Sequence, residues 1–178
     1  MKQELRRKGV HMLLALLFAA IASSVHSQVL IWAGLALFVA FALGRVLRLC
    51  AHVGGVPRVT FGELFFALGI IATAVISNGR VELFQMGMLI LALADPLAAV
   101  IGIGFGRHEY QVLGEVRTYE GSLACFVTVA LVLAAFGVSV PIAIPLALVL
   151  TAVEAVSPRG SDNLFLPSLT VLAISLLT

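Results

Sequence analysis

The sequence predicts an all-α fold, a polytopic membrane bundle of about seven transmembrane helices that forms one integral-membrane domain over residues 1–178. Three observations lead there. Of the 178 residues 61% are hydrophobic and only 11% are charged, against about a quarter charged in a soluble domain. The mean hydropathy is +1.14. The apolar residues fall in closely spaced, charge-poor runs near the ~20 residues that a membrane helix needs. This composition excludes a nucleic-acid binder, a disulfide-stapled secreted domain and an enzyme with a large aqueous nucleotide domain.

The expected spans are 9–26, 28–48, 61–78, 82–105, 121–137, 139–156 and 163–178. The first follows a basic start, and no small-residue cleavage site is followed by a soluble chain, so it is expected to stay. The fifth and sixth come from one charge-free stretch, Ser122 to Val153, 32 residues long. At ~1.5 Å per residue that is too long for a single crossing. Gly137, Ser139, Pro141 and Pro145 cluster at its middle, where a helix ends or kinks. Cys50 and Cys125 form no CxxC pair and read as packing residues.

Seven spans put the loops alternately on two sides. Lys2, Arg6, Arg7, Lys8, Arg45, Arg48, Arg58, Arg107, Arg117 and Arg159 fall on one side, and Arg80 alone on the other. Positive residues collect on the cytoplasmic side of a membrane protein. The N-terminus is therefore expected in the cytoplasm and the C-terminus outside. Glu63, Asp95, Glu109, Glu115, Glu120, Glu154 and Asp162 follow the same asymmetry, and only Glu82 faces the other way. A face with many charges of both signs suits anionic ligands bridged by metal ions.

Asp95 interrupts the fourth span in LALADPLAAVIGIGFGRH. A charge at membrane depth costs about 2.5–3.5 kcal/mol on insertion scales and reads as functional. Pro96 lacks an N–H, which leaves the Ala92 carbonyl without its helical partner. The expectation is a broken helix with a carboxylate beside a free carbonyl, a cation site. Alternatively Asp95 caps a half-helix that begins at Pro96. Gly102 and Gly106 have the spacing that lets helices approach closely. Neither GxGxxG nor GxxxxGK[ST] is present.

Arg117-Thr118-Tyr119-Glu120-Gly121-Ser122 stands at the mouth of the fifth span. A helix N-terminus there offers N–H groups to phosphate, with Arg117 adding a bidentate contact, or Thr118 simply caps the helix. Thr60-Phe61-Gly62-Glu63 matches a capping box, so Glu63 is either structural or catalytic. Glu154 and the turn-forming loop from Ser157 to Asn163, with Arg159 and Asp162, share a site only if the helices converge. Lys8 and His11 are three apart on one helix face. His26 and His52 look incidental.

Taken in order, ELRRKGVH, TFGELFFALG, LALADPLAAVIGIGFGRH, RTYEGSLACF and EAVSPRGSDNLFLPSL resemble the dolichol kinase and phytol kinase family of CTP-using lipid kinases, related to phosphatidate cytidylyltransferases. The resemblance implies phosphoryl transfer from a nucleoside triphosphate, typically CTP with Mg²⁺, to the hydroxyl of a membrane lipid such as a polyprenol, phytol or diacylglycerol. Carried across by position, Lys8 and His11 lie in the first motif, Glu63 in the second, and Asp95, Gly102 and Gly106 in the third. Arg117, Thr118, Glu120, Gly121 and Ser122 form the fourth, where the family usually has Lys at the Arg117 position. Glu154, Asp162 and Asn163 belong to the last.

Asp95, with Glu120 or Asp162, is expected to hold Mg²⁺, while Lys8, Arg107 and Arg117 neutralise phosphate oxygens. Glu63, Glu154 and His11 are the candidate general bases. Gly102, Gly106, Thr118, Gly121, Ser122, Arg159 and Asn163 complete the expected phosphate and nucleotide contacts. The implied setting is a prokaryotic cytoplasmic membrane with the active site on its cytoplasmic face, and a homodimer is left open. A cytidylyltransferase making a CDP-lipid is the nearest alternative. From another class, a small ion-coupled transporter would use Asp95-Pro96 as its ion site.

Overall fold

The computed structural model describes the chain over residues 2–47 and 61–177, with side chains from Lys8 onward. Cys50, His52, Arg48, Arg58 and Thr60 lie outside the described residues, as do the side chains of Lys2, Arg6 and Arg7. Seven helices follow in order: α1 Lys2–Ile21, α2 Ser27–Val46, α3 Gly62–Ser77, α4 Val81–Phe105, α5 Tyr119–Ala135, α6 Val140–Val156 and α7 Asp162–Leu177. Each corresponds to one expected apolar run. The split between α5 and α6 falls at 136–139, with Gly137 at a φ of 76° and Pro141 in the first turn of α6.

Two of these helices, α2 and α4, are long and apolar enough to cross a membrane; the remaining apolar stretches are shorter. The surface of α2 is informative. Only Leu30 and Gly34 are buried along its 20 residues, and Trp32, Val39 and Leu43 are exposed. A helix that is apolar all round yet seated along one narrow seam needs an apolar neighbour beyond the described residues.

The chain is all-α as expected, and its one short pair of strands was not foreseen: a two-stranded antiparallel hairpin, β1 Glu109–Val112 and β2 Glu115–Thr118, joins α4 to α5. Its turn places Leu113 and Gly114 at φ 48° and 82°, both positive as a two-residue type I′ hairpin requires. The expected break at Asp95-Pro96 does not occur: α4 runs unbroken for 25 residues with Pro96 inside it. Asp95 is thus an interior helical residue and caps nothing, and the broken-helix ion site behind the transporter alternative is absent.

The unbroken α4 is the axis of the bundle. Leu83, Met86, Ile90, Ala94 and Ala98 recur every three to four residues and pack with α5, α6 and α7. Phe84, Met88, Leu91 and Ala92 face the other way, into a second core with α1, α2 and α3. At one end the turn between α1 and α2 meets the start of α4 around a cavity of about 340 Å³ lined by His26, Ser77 and Arg80. At the other end, α1 meets α4 at Lys8 and Asp95.

The docking of α7 depends on small residues. A Cβ on Gly69 of α3 would stand 2.2 Å from the Asn163 carbonyl oxygen, and one on Gly87 of α4 2.9 Å from that of Pro167. Absent side chains let α7 press against both helices. Its first residue, Asp162, arrives beside the middle of α4 as a result.

Candidate functional site

Four helices and the hairpin bring charge together at one buried junction. Lys8 of α1 forms an ion pair with Asp95 of α4, their side chains 12% and 7% exposed. The carboxyl of Asp162, first in α7, stands within hydrogen-bonding reach of Asp95. Arg117 of β2 reaches across to α6: Nη1 donates to Glu154 Oε1 at 2.8 Å and Nη2 to the Ser157 carbonyl at 3.3 Å. Two cations thus face three acids, all within mutual electrostatic range. Burial works against the Arg117 charge, but Glu154, Asp162 and Asp95 outweigh it and hold the guanidinium above its usual range. Arg117 stays charged at any working pH.

Local sequence explains each placement. Thr118 ends β2 in extended backbone, and its Oγ1 accepts the Gly121 N–H at 3.1 Å. Thr118 is the N-cap of α5. A Cβ on Gly121 would come within 2.9 Å of the Ala98 carbonyl oxygen, and one on Gly102 within 2.9 Å of Thr118 Oγ1. Gly102, Gly106 and Gly121 therefore seat the hairpin against α4, with Thr118 filling the space over them. The loop into α7 turns through Arg159 and Gly160, at φ 54° and 86°. Arg159 accepts the Phe61 N–H at 3.2 Å, and Asn163 Nδ2 donates to the Gly62 carbonyl at 3.0 Å. These bonds tie the start of α7 to the start of α3.

Several buried polar atoms at this junction have no hydrogen-bond partner among the described residues: Ser161 Oγ, Asp162 Oδ1, Asn163 Oδ1 and Arg117 Nε. Buried polar groups are normally satisfied, since an unmade hydrogen bond costs roughly 1–3 kcal/mol. Three unpartnered oxygens on consecutive residues at the entry to α7, with Asp162 among them in reach of Asp95, make an oxygen-donor set that fits a hard cation with substrate phosphates. Among the described residues no group of three His, Cys, Asp or Glu side chains converges closely enough to hold a metal alone. A magnesium site commonly takes one or two carboxylates and leaves the rest to phosphate and water.

Other expected residues lie elsewhere. Glu120 does not join Asp95 and Asp162; it bonds His108 on the outer side of the hairpin, Oε1 to Nδ1 at 2.7 Å and Oε2 to the backbone N–H at 3.3 Å. Glu63 is the second residue of α3, which Phe61 precedes as N-cap, so it does not occupy the third position a capping box needs. It pairs instead with Arg45 at 3.4 Å, whose guanidinium lies over the Phe61 ring at 4.6 Å. His11 stacks on Phe66, centroids 5.1 Å apart. Arg107 and Arg159 are exposed. Ser122 Oγ meets the Tyr110 hydroxyl at 2.6 Å.

Sequence reading missed Ser157, whose carbonyl receives Arg117, and Ser161, whose buried hydroxyl has no partner among the described residues. The left-handed turn at Arg159-Gly160 lies between them, and Pro158 with Gly160 was its signal.

No protein-family model matches the chain, and no solved structure is significantly similar to it. Two curated proteins are similar. A phytol kinase from Synechocystis sp. is 34% identical over 122 residues, covering 63% of this chain and 52% of the relative. An uncharacterized protein from Methanocaldococcus jannaschii is 33% identical over 116 residues, covering 64% of this chain and 58% of the relative. The chain spans somewhat more than half the length of these relatives. The first similarity supports a phytol/dolichol kinase-like assignment.

Proposed function

We propose that the protein is a multi-pass membrane lipid kinase that transfers the γ-phosphoryl group of a nucleoside triphosphate, CTP by preference, to the hydroxyl of a lipid alcohol. The acceptor class is a polyprenol, phytol or diacylglycerol. One observation carries this reading: the buried Lys8–Asp95 pair with Asp162 beside it, at the junction of α1, α4 and α7, in a chain similar to a phytol kinase.

Phosphoryl transfer asks a protein mainly to position the reactants and neutralise charge on the transferring group. Lys8 and Arg117 supply two cations on opposite sides of the junction, each held in place by a carboxylate. Asp95 and Asp162, with the unpartnered oxygen of Asn163, would hold Mg²⁺. When bound, Mg²⁺ neutralises the triphosphate and orients its terminal phosphoryl group. Asp95 lies ten residues before the end of α4, roughly 15 Å inward by helical rise. Leu97 and Val100, just beyond it, are exposed on the flank of α4, and the lipid tail lies against such apolar surface while its hydroxyl reaches the junction. In this reading the helices all cross the bilayer and the junction opens to the cytoplasm.

The test uses the full chain in detergent with Mg²⁺, γ-labelled CTP or ATP, and each lipid alcohol in turn. Label is expected in the organic phase, and Asp95→Asn should abolish it. No label with any donor and acceptor would overturn the kinase reading. Base-labelled CTP entering the lipid, with release of pyrophosphate, would replace it with a cytidylyltransferase.

A further inference from the structure

The chain has two tyrosines, and both stand at the hairpin. Tyr110 of β1 pairs across the strands with Arg117 of β2. Residues directly opposite each other project from the same face, so the Tyr110 ring leaves the hairpin on the side from which Arg117 reaches the buried acids. The Tyr110 hydroxyl is turned onto Ser122 Oγ at 2.6 Å. Its ring backs that of Tyr119, with centroids 4.9 Å apart and planes tilted by 44°. The Tyr119 N–H donates to the His108 carbonyl at 3.0 Å, yet the residue is 64% exposed.

We propose that Tyr119, backed by Tyr110, is the stacking platform for the nucleobase of the donor nucleotide. The proposal rests on the kinase reading above and adds where the base sits. A fixed ring with an open π-face binds any base by stacking. The guanidinium beside it leads inward to the site of the phosphates, so one nucleotide spans from the exposed ring to the buried charges. Tyrosines are also enriched at membrane interfaces. There the hydroxyl turns to water and headgroups, whereas the hydroxyl of Tyr110 is turned onto a helix.

The test compares nucleotide with a base-free analogue. Binding of CTP, ATP and inorganic triphosphate to the full chain in detergent is measured by calorimetry for the wild type, Tyr119→Ala and Tyr119→Phe. Tyr119→Ala should weaken both nucleotides about tenfold and leave triphosphate within about twofold, while Tyr119→Phe, which keeps the ring, should stay within about twofold for all three. In a Trp32→Phe background, nucleotide should quench tyrosine emission and triphosphate should not. Unchanged nucleotide binding in Tyr119→Ala overturns the platform, as does an equal loss for triphosphate, which would mean that Arg117 had moved. If the wild type binds triphosphate but gains nothing from a base, the platform falls and the kinase reading stands. If it binds none of the three, both fall.

Discussion

Two sets of ion pairs sit at the same end of this bundle and differ in depth. Lys8–Asp95 and Arg117–Glu154 are sunk in the junction, their acids 7% and 3% exposed, while Arg45–Glu63 and His108–Glu120 stand on the rim, their acids 37% and 27% exposed. All four are carboxylates in motifs that the sequence singles out. What separates them is the company they keep: Asp162 stands within electrostatic range of Asp95 and Glu154, whereas Glu63 and Glu120 each pair with one partly exposed cation or imidazole. Depth decides energetics as well: breaking a buried pair strands a charge, but an exposed pair exchanges its partner for water.

The largest expected effect comes from the deepest pair. Asp95→Asn should reduce lipid phosphorylation on the order of a hundredfold or more and, by breaking the buried pair with Lys8, destabilise the protein by at most roughly 3–5 kcal/mol, since Glu154 and Asp162 still act on the Lys8 charge. The double variant Lys8→Gln with Asp95→Asn should regain much of that stability and none of the activity. Thermal unfolding in detergent and initial rates read the two effects separately. Recovery of activity in the double variant would make the pair structural.

Arg117 comes next. Arg117→Ala should lower kcat more than Arg117→Lys does, because lysine keeps the charge but cannot hold the Glu154 carboxylate and the Ser157 carbonyl at once. A loss of about tenfold for the lysine variant is expected. Equal rates for lysine and alanine would mean that geometry rather than charge is what the junction needs. Gly69→Ala probes the same region without touching a charge. The added methyl would meet the Asn163 carbonyl at 2.2 Å, so α7 must shift away from α3, at about 1–3 kcal/mol for an overpacked contact. Activity should fall with stability, since Asp162 rides on α7.

Helix number, order and boundaries were legible because each apolar run is bounded by charges or turn formers, and Gly137 with Pro141 marked the one concealed turn. Asp95 was legible because a carboxylate in an apolar helix needs a partner. Which partner was not: Lys8 lies 87 positions away, and only the packing of α1 on α4 joins them. The hairpin escaped because its turn is Leu-Gly rather than the Asn-Gly or Asp-Gly that announces a type I′ turn, and its strands are four residues long. Pro96 suggested a break because it removes one hydrogen bond, but α4 is packed on both sides through two cores, and that packing carries the helix across the gap. The glycines after Asp95 read equally well as a phosphate cradle or as contact space, and only the position of Thr118 separates the two.

The smallest effects belong to the rim, and they test the contrast most directly. Glu63→Gln leaves Arg45 exposed enough to take water in place of the carboxylate, and its stacking on Phe61 does not depend on Glu63. Glu120→Gln keeps one oxygen to accept the His108 backbone N–H and turns an amide N–H toward the tautomerisable Nδ1. Exposed pairs contribute about 0–1 kcal/mol, so each variant should unfold within about 1 kcal/mol of the parent and keep its rate within about twofold. Salt should act in the same direction. Raising ionic strength to about 1 M shortens the screening length to about 3 Å, which removes what the rim pairs contribute and leaves the junction pairs, held at contact and away from water, largely intact. The parent and both rim variants should therefore converge in stability at high salt. A loss in Glu63→Gln comparable to that in Asp95→Asn would place Glu63 in the chemistry despite its exposure, and depth would no longer distinguish the acids that act from those that do not.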